Sequence, residues 1–314
     1  MKPRVSVVVV HYGPLFQTIR CVRALARVRY PNLSVVLVDN SGLGAGLAGL
    51  LPKPGRAMRI IPMGGNAGYA PAVNRGLKES LRRGARYAWL LNNDAEPEPG
   101  SLAPLVEEME RHPRTGIAGS RLHDDREPRR IWHAGGVIDM RSGLTHSVGY
   151  GLVDRGQFGR RHEVDFVAGC SILLRLSMVR GLGAFDERYA MYYEETDLCV
   201  RARKAGWKVV YCPGSRVKHN VAGREESGEL GWLYYLTRNR LFFLWKHRPW
   251  ALLRAIPMTL RWPLASCLLR GRLAGFWHSL HGCLSFGRLV LASGGEKRWR
   301  GRMRHWGGGG GPIR

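Results

Sequence analysis

The tightest constraint on the fold is a rhythm in the first 94 residues, in which apolar β-branched runs alternate with helical patterns. Val5-Ser6-Val7-Val8-Val9-Val10 is apolar on both faces, which suits a strand covered from both sides in a parallel sheet. Residues 15–28 follow, with Ile19, Val22, Leu25 and Ala26 on one side of an amphipathic helix. Residues 34–38 form the next apolar run and end at Asp39-Asn40-Ser41, and residues 58–61 form a third. Residues 71–83 read as a helix with Pro71 in its first turn. Residues 85–91 read as a fourth strand, ending at Asn92-Asn93-Asp94. Strand, helix and strand repeated this way predict an α/β chain with a Rossmann-like, mostly parallel sheet flanked by helices. Ligands of such sheets bind beyond the carboxyl ends of the strands. Asp39, Asn66 and Asp94 fall at or near those ends.

After Pro99 the pattern weakens. Residues 131–150 are rich in Gly and His and read as an irregular strand pair, and residues 164–174 as a further strand. Residues 195–205 read as a helix closed by Gly206. A short strand at 207–211 leads through Pro213-Gly214 to His219. Gly44-Ala45-Gly46-Leu47-Ala48-Gly49 matches a dinucleotide fingerprint, but it follows the second strand and lacks the acidic residue expected about 20 positions on.

Charge narrows the partners. The chain carries 49 Lys+Arg against 24 Asp+Glu, net +25, which calls for an anionic partner. From Arg224 to the end there are 16 basic and 4 acidic residues, interleaved with Trp232, Tyr234, Tyr235, Phe242, Phe243, Trp245, Trp250 and Trp262. Such helices suit an anionic membrane surface; no nucleic-acid-binding module accompanies the charge. The six cysteines are scattered without a CxxC pair, as in a reducing compartment. No apolar run reaches the roughly 20 residues that span a bilayer, and the start of the chain lacks the pattern of a signal peptide. The expected location is cytoplasmic, peripheral on the inner face of the membrane.

The chemistry-bearing residues form two groups. Asp94 is a candidate ligand for a hard divalent cation, with Asn92 able to offer only a neutral carbonyl. Asp39 can bond a base or ribose, or simply close an Asx turn. Asn66 and Asn74 place amides beside the same edge, with helix N–H groups nearby. Glu194, Glu195 and Asp197 crowd like charges, which raises at least one pKa toward the range of a general base. Spacing alone does not choose among the three. His219 is either a further metal ligand or a structural histidine.

Taken in order and spacing, these stretches resemble the family 2 nucleotide-sugar glycosyltransferases of the GT-A fold, in particular rhamnosyltransferase-like enzymes of bacterial surface polysaccharides. The similarity runs from VSVVVVHYG and VVLVDNSG through GGNAGYAPAVNRGL, WLLNNDAEPEPGSL and VDFVAGCSILLRL. It continues to GAFDERYAMYYEETDLCVRARKAGWKVVYCPGSRVKHN, and less closely over residues 234–247. The resemblance implies that His11, Asp39, Asn66, Asn74, Asn92 and Asn93 line the nucleotide-sugar site. It implies that Asp94 and His219 hold Mg²⁺ or Mn²⁺, and that Glu195 is the base. Glu stands where Asp is usual at that position, which leaves Glu194 and Asp197 as alternatives. The implied reaction is an inverting transfer of L-rhamnose from dTDP-rhamnose to a hydroxyl of a glycan or polyprenyl-diphosphate-linked acceptor; the alternatives are a galactofuranosyl or hexosaminyl transferase of the same family and a non-catalytic nucleotide- or glycan-binding protein on the same fold. The expected organisation is a catalytic domain over residues 1–225, with a nucleotide-binding half at 1–98 and an acceptor half at 99–225. A basic helical C-terminal extension at 226–306 and a disordered tail at 307–314 follow.

Overall fold

The computed structural model describes residues 1–44, 46–52, 55–220, 231–270 and 273–294; for residues 231, 262–270 and 273–276 only the backbone is considered. The first half alternates as its sequence requires. β1 (Val5–His11), β2 (Leu33–Asp39), β3 (Met58–Pro62) and β4 (Tyr87–Asn92) are separated by α1 (Leu15–Ala26), the short α2 (Gly46–Leu50) and α3 (Tyr69–Arg82). β1 lies between β2 and β4, β2 adjoins β3, and all of these pairs are parallel. Every residue of β1 is buried, and its alternate side chains feed opposite cores. Val5, Val7 and Val9 meet Cys21, Val22 and Leu25 of α1 on one face, whereas Val8 and Val10 join Val73 and Leu77 of α3 on the other. Gly76 lets α3 lie against the sheet, because a Cβ there would stand 2.3 Å from Val8.

The second half widens the same sheet. It contains β5 (Ala95–Pro97), α4 (Leu102–Arg111), β6 (Thr115–Asp124), β7 (Ile131–His133), β8 (Gly136–Asp139), β9 (Leu144–Ser147) and β10 (His162–Glu163). β11 (Ser171–Arg175), α5 (Leu176–Leu182), α6 (Glu194–Lys204) and β12 (Lys208–His219) complete it. The strand order is β10-β12-β6-β11-β4-β1-β2-β3, with β11 antiparallel to both neighbours and β12 parallel to β6. The carboxyl ends of β1, β2, β4, β6 and β12 therefore share one edge.

Three expectations need correcting here. The sequence reading named nothing between residues 100 and 130, yet α4 and β6 lie there, and β6 is central. Its residues are small because neighbours press on it: a Cβ on Gly119 would stand 2.4 Å from Val167, and one on Gly116 would stand 2.4 Å from Met178. That crowding removes the apolar run by which buried strands are recognised. The strand expected over 164–174 is formed only by Ser171–Arg175, because Val167 passes over the face of β6 instead of pairing at its edge. The strand expected at 207–211 continues to His219 past a break in register between Cys212 and Arg216.

The basic C-terminal part holds α7 (Gly231–His247), α8 (Leu252–Arg270) and α9 (Leu273–Ala292). α7 is not a surface helix. Leu241, Phe242, Phe243 and Leu244 are fully buried in the core shared with Tyr189, Tyr193 and Leu198. Phe242 and Phe243 thus face this core and not lipid, and α7 packs on elements that precede residue 225. The side chain of Trp262 and the tail at 307–314 lie outside the described residues. Among the described residues no helix is long and apolar enough to cross a membrane.

Candidate active site

Asp94 follows β4 at the carboxyl edge of the sheet. β5 runs back antiparallel to the end of β12, pairing Ala95 with His219, and the Asn220 amide donates to the Asp94 carbonyl at 3.0 Å. This pairing sets His219 Nε2 3.3 Å from Asp94 Oδ1. The two atoms are not aligned for a hydrogen bond. Asp94 Oδ1 and both ring nitrogens of His219 are buried without a hydrogen-bond partner among the described residues. The Trp132 ring packs on His219 at 4.6 Å between centroids and fixes its plane. Orphaned carboxylate and imidazole atoms at one point suit a divalent cation, and the mixed O and N set favours Mn²⁺ over Mg²⁺. Among the described residues no third acidic, His or Cys side chain completes a cage.

The asparagines beside Asp94 face elsewhere. Asn92 Oδ1 accepts from the Tyr69 hydroxyl at 2.9 Å, and Asn93 Nδ2 donates to the Tyr12 carbonyl and the Thr18 hydroxyl. Both tie the end of β4 to its flanking helices. Asn74, one turn inside α3, is 7% exposed and clamps the Phe185 backbone in both directions while also donating to Glu187. Its amide is spent on packing. The second amide of α3 goes the same way, since Ala70 donates to the Ala190 carbonyl.

The end of β2 builds a tight loop. Asp39 is fully buried and accepts from the Ser41 amide at 3.0 Å, the Ser41 hydroxyl at 2.7 Å and the Gly44 amide at 2.6 Å. Burial alone would raise its pKa, but these bonds prevail and hold it below the ordinary carboxylate value. Asn40 joins this loop to the next by bonding Asn66, the Ala67 amide and the Gly68 carbonyl. His11, at the end of β1, is buried with Nδ1 on the Thr18 hydroxyl and no partner for Nε2 among the described residues. Burial lowers its pKa, opposed by nearby Asp39.

The three carboxylates of α6 separate clearly. Asp197 is fully buried and bonds Lys246 and His247 of α7 at 2.7 and 2.8 Å and Arg201 at 2.7 Å. These cations outweigh its burial and hold its pKa far below the ordinary value. It locks α6 to α7, so as an alternative base it is displaced by geometry. Glu194 is 4% exposed, and burial followed by the charge of Glu195 pushes its pKa well up. Glu195 alone of the three is not fully buried, although its Oε2 is.

Glu195 and Asp94 meet across a short bridge. A Cβ on Gly169 would stand 3.7 Å from the Glu195 carboxyl carbon, and the next residue, Cys170, accepts the Asn92 amide at 3.1 Å. Tyr69 feels both sides: burial, then the charges of Glu194, Glu195 and Asp94 among others, raise its pKa well above the ordinary value. Tyr69 thus lies within electrostatic reach of both groups.

The turn leading into Glu194 is strained. Ala190, Tyr192 and Tyr193 have φ of 60°, 67° and 71°, a region that non-glycine residues rarely adopt. α7 pins it: Asn239 Nδ2 donates to the carbonyls of Tyr189, Met191 and Tyr192, and Arg238 to those of Arg188 and Tyr189. The sequence reading assigned no role to Asn239, Arg238, Lys246 or Asn40. The available signal was a polar Arg-Asn-Arg set at 238–240 directly before the apolar run of α7.

The mostly parallel sheet flanked by helices is the GT-A fold. The profile described as "Glycosyl transferase family 2" matches residues 6–183, and the chain belongs to that family. A relative from Mycobacterium tuberculosis, N-acetylglucosaminyl-diphospho-decaprenol L-rhamnosyltransferase, is 30% identical over 284 residues, covering 83% of this chain and 89% of the relative. The low-salt glycan biosynthesis hexosyltransferase Agl10 of Haloferax volcanii is 27% identical over 58% of this chain and 59% of its own. Among solved structures, the mannosyltransferase PcManGT from Pyrobaculum calidifontis in complex with GDP-Man and Mn²⁺ superposes with a TM-score of 0.56 at 15% identity, covering 93% of this chain and 88% of that one. GalNAc-T7 with UDP, GalNAc and Mn²⁺ gives 0.57 at 17% identity, over 79% of this chain and 51% of that longer one.

Proposed function

We propose that this glycosyltransferase moves L-rhamnose, with inversion, from dTDP-rhamnose to a hydroxyl of a polyprenyl-diphosphate-linked glycan. The observation that supports the reading is the Asp94–His219 pair at the carboxyl edge of the sheet, 3.3 Å apart and with the facing atoms unpartnered among the described residues; Glu195, the one carboxylate of α6 that is not fully buried, is proposed to face it. The sugar and the lipid-linked acceptor follow the named activity of the mycobacterial relative, and dTDP-rhamnose is the donor implied by the family resemblance. The acceptor oxygen attacks the anomeric carbon from the Glu195 side as Glu195 takes its proton. The bond from that carbon to the diphosphate oxygen breaks on the opposite side. Burial, then the charge of Glu195, raises the Glu194 pKa well above the ordinary value, which favours Glu195 as the charged member of the pair. Asp94 and His219 would hold Mn²⁺ or Mg²⁺, which when bound offsets charge on the departing diphosphate. His11 and the loops ordered by Asp39 and Asn66 form the nucleotide side of the cleft.

A membrane position on the cytoplasmic face fits the exposed groups of the last helices. Trp277, Leu284 and Leu291 lie seven residues apart on one face of α9 with Arg288, and Trp250 stands out beside Arg248. Aromatic, aliphatic and arginine side chains on one surface suit an anionic bilayer. The reaction is tested by incubating the full chain with dTDP-rhamnose, Mn²⁺ and a prenyl-diphosphate-linked N-acetylglucosamine, and reading the product by NMR. Transfer with the anomeric configuration opposite to the donor's is the expected result; retained configuration, or no transfer, overturns it.

A further inference from the structure

The tip of the β8–β9 hairpin and the first turns of α8 enclose a crevice of about 400 Å³, lined by Asp139, Arg141, Ser142, Leu144, Arg254 and Met258. Its one carboxylate is already engaged. Asp139 accepts from the Ser142 hydroxyl at 2.6 Å and the Arg141 amide at 2.9 Å, and these bonds hold it below the ordinary carboxylate value. Arg141 and Arg254 are exposed, and neither forms an ion pair among the described residues. Arg240 of α7 lies between the hairpin tip and α8, behind the residues that line the crevice. Its Cγ is 3.0 Å from where a Cβ on Gly143 would stand, and its guanidinium donates to the Thr259 hydroxyl. Arg240 Nε is buried with no hydrogen-bond partner among the described residues. A part-buried cation facing no carboxylate is costly to keep, and it is balanced when an anion binds.

The surroundings specify more than an anion. Met258 on α8 and Leu144 on the hairpin are exposed in the lining itself, so apolar surface borders Arg141 and Arg254. The crevice also abuts the reaction centre. The Tyr193 hydroxyl donates to the Gly143 carbonyl at the hairpin tip at 2.8 Å, and Tyr193 stands two residues before Glu195.

We propose that this crevice binds the diphosphate of a lipid-linked acceptor, with Arg141 and Arg254 on its phosphates, Arg240 adding positive charge behind them, and the start of the lipid chain over Leu144 and Met258. The inference rests on the acceptor reading given above. It places the acceptor sugar toward Glu195 and its lipid away from the sheet.

The test uses the full chain and the double variant Arg141→Ala/Arg254→Ala, whose side chains are exposed and make no ion pair. Binding of farnesyl diphosphate is measured by calorimetry with excess dTDP blocking the donor site. Farnesol, which lacks the phosphates, and vesicles of phosphatidylglycerol serve as companion probes, and Arg27→Ala serves as a distant control. Loss of two charge-assisted contacts should weaken farnesyl diphosphate binding by about ten-fold or more, with farnesol and vesicle binding changed much less. Equal affinity of variant and wild type for farnesyl diphosphate overturns the proposal, as does no binding by the wild type. A loss shared equally with vesicles overturns it too, reassigning the arginines to bilayer headgroups. If the wild type transfers no sugar, these binding measurements still read out, so the two failures are distinguishable.

Discussion

Replacing Asn239 by Ala should harm turnover more than its effect on stability would suggest. The Asn239 amide meets the carbonyls of Tyr189 at 2.9 Å, Met191 at 2.6 Å and Tyr192 at 2.8 Å from a fully buried position. Two amide hydrogens serve these three acceptors, so the set is worth about two good hydrogen bonds, roughly 2 kcal/mol net. A carbonyl left buried without a donor adds about 1–3 kcal/mol. Against this, the positive φ angles at Ala190, Tyr192 and Tyr193 store strain on the order of 1–3 kcal/mol each, and an unpinned turn can release part of it. The net loss expected in urea unfolding is therefore about 2–3 kcal/mol. The release comes with movement of the turn that aims Glu195, so turnover should fall by about 100-fold. Asn239→Asp separates this account from simple cavity formation. It keeps the volume but sets acceptors against acceptors, so it should be worse than Ala in both assays. An Ala variant within about 0.5 kcal/mol of wild type and with full turnover would refute the pinning argument.

Other outcomes follow from the same geometry. Glu195→Gln should lower turnover by about 10²–10⁴-fold with donor affinity retained in calorimetry; unchanged turnover would transfer the base role elsewhere. Asp94→Ala and His219→Ala should each weaken metal-dependent donor binding, and donor affinity that ignores Mn²⁺ in wild type would count against the pair as ligands. Asp197→Asn leaves Lys246, Arg201 and His247 without their carboxylate and should cost about 3–5 kcal/mol at pH 7. Because folding depresses the Asp197 pKa, its contribution is complete above the ordinary carboxylate range and disappears as pH falls through the depressed value. The variant should therefore differ most from wild type near neutrality and converge with it in strong acid. His133 is fully buried, and burial lowers its pKa to about 3, so the unfolded chain binds a proton that the folded chain refuses. Stability should fall by about 1.4 kcal/mol per pH unit from this site as pH drops below roughly 6.5; a His133→Gln variant with an identical slope would contradict it.

The first half of the fold could be read from residues because β1, β2 and β4 are buried on both faces and α1 and α3 on one, so hydrophobic pattern and environment agree. The reading failed where contact replaced pattern. β6 is central but carries glycines under Val167 and Met178, so its burial leaves no apolar run. Asn74 looked like a ligand amide, whereas its position in α3 turns it toward Phe185. Asp94 and His219, 125 positions apart, were legible as a pair only through family resemblance, and the β5–β12 pairing is what joins them. The hold of α7 on the turn before Glu194 had no such cue, because one asparagine among arginines on a helix looks like solvated surface.

The break in β12 has a consequence for how such a site can change. Up to Cys212 the strand is aligned by packing against β6; from Arg216 it is aligned anew, with its carbonyl accepting the Glu98 amide at 3.1 Å. Pro213, Gly214 and Ser215 act as slack between the two alignments. Drift in the interior can be absorbed there without dragging the histidine off its mark, and retuning at the rim need not disturb the interior. Remove that slack, and a slip of a single position brings Asn220 opposite Ala95, exchanging an imidazole for an amide beside Asp94.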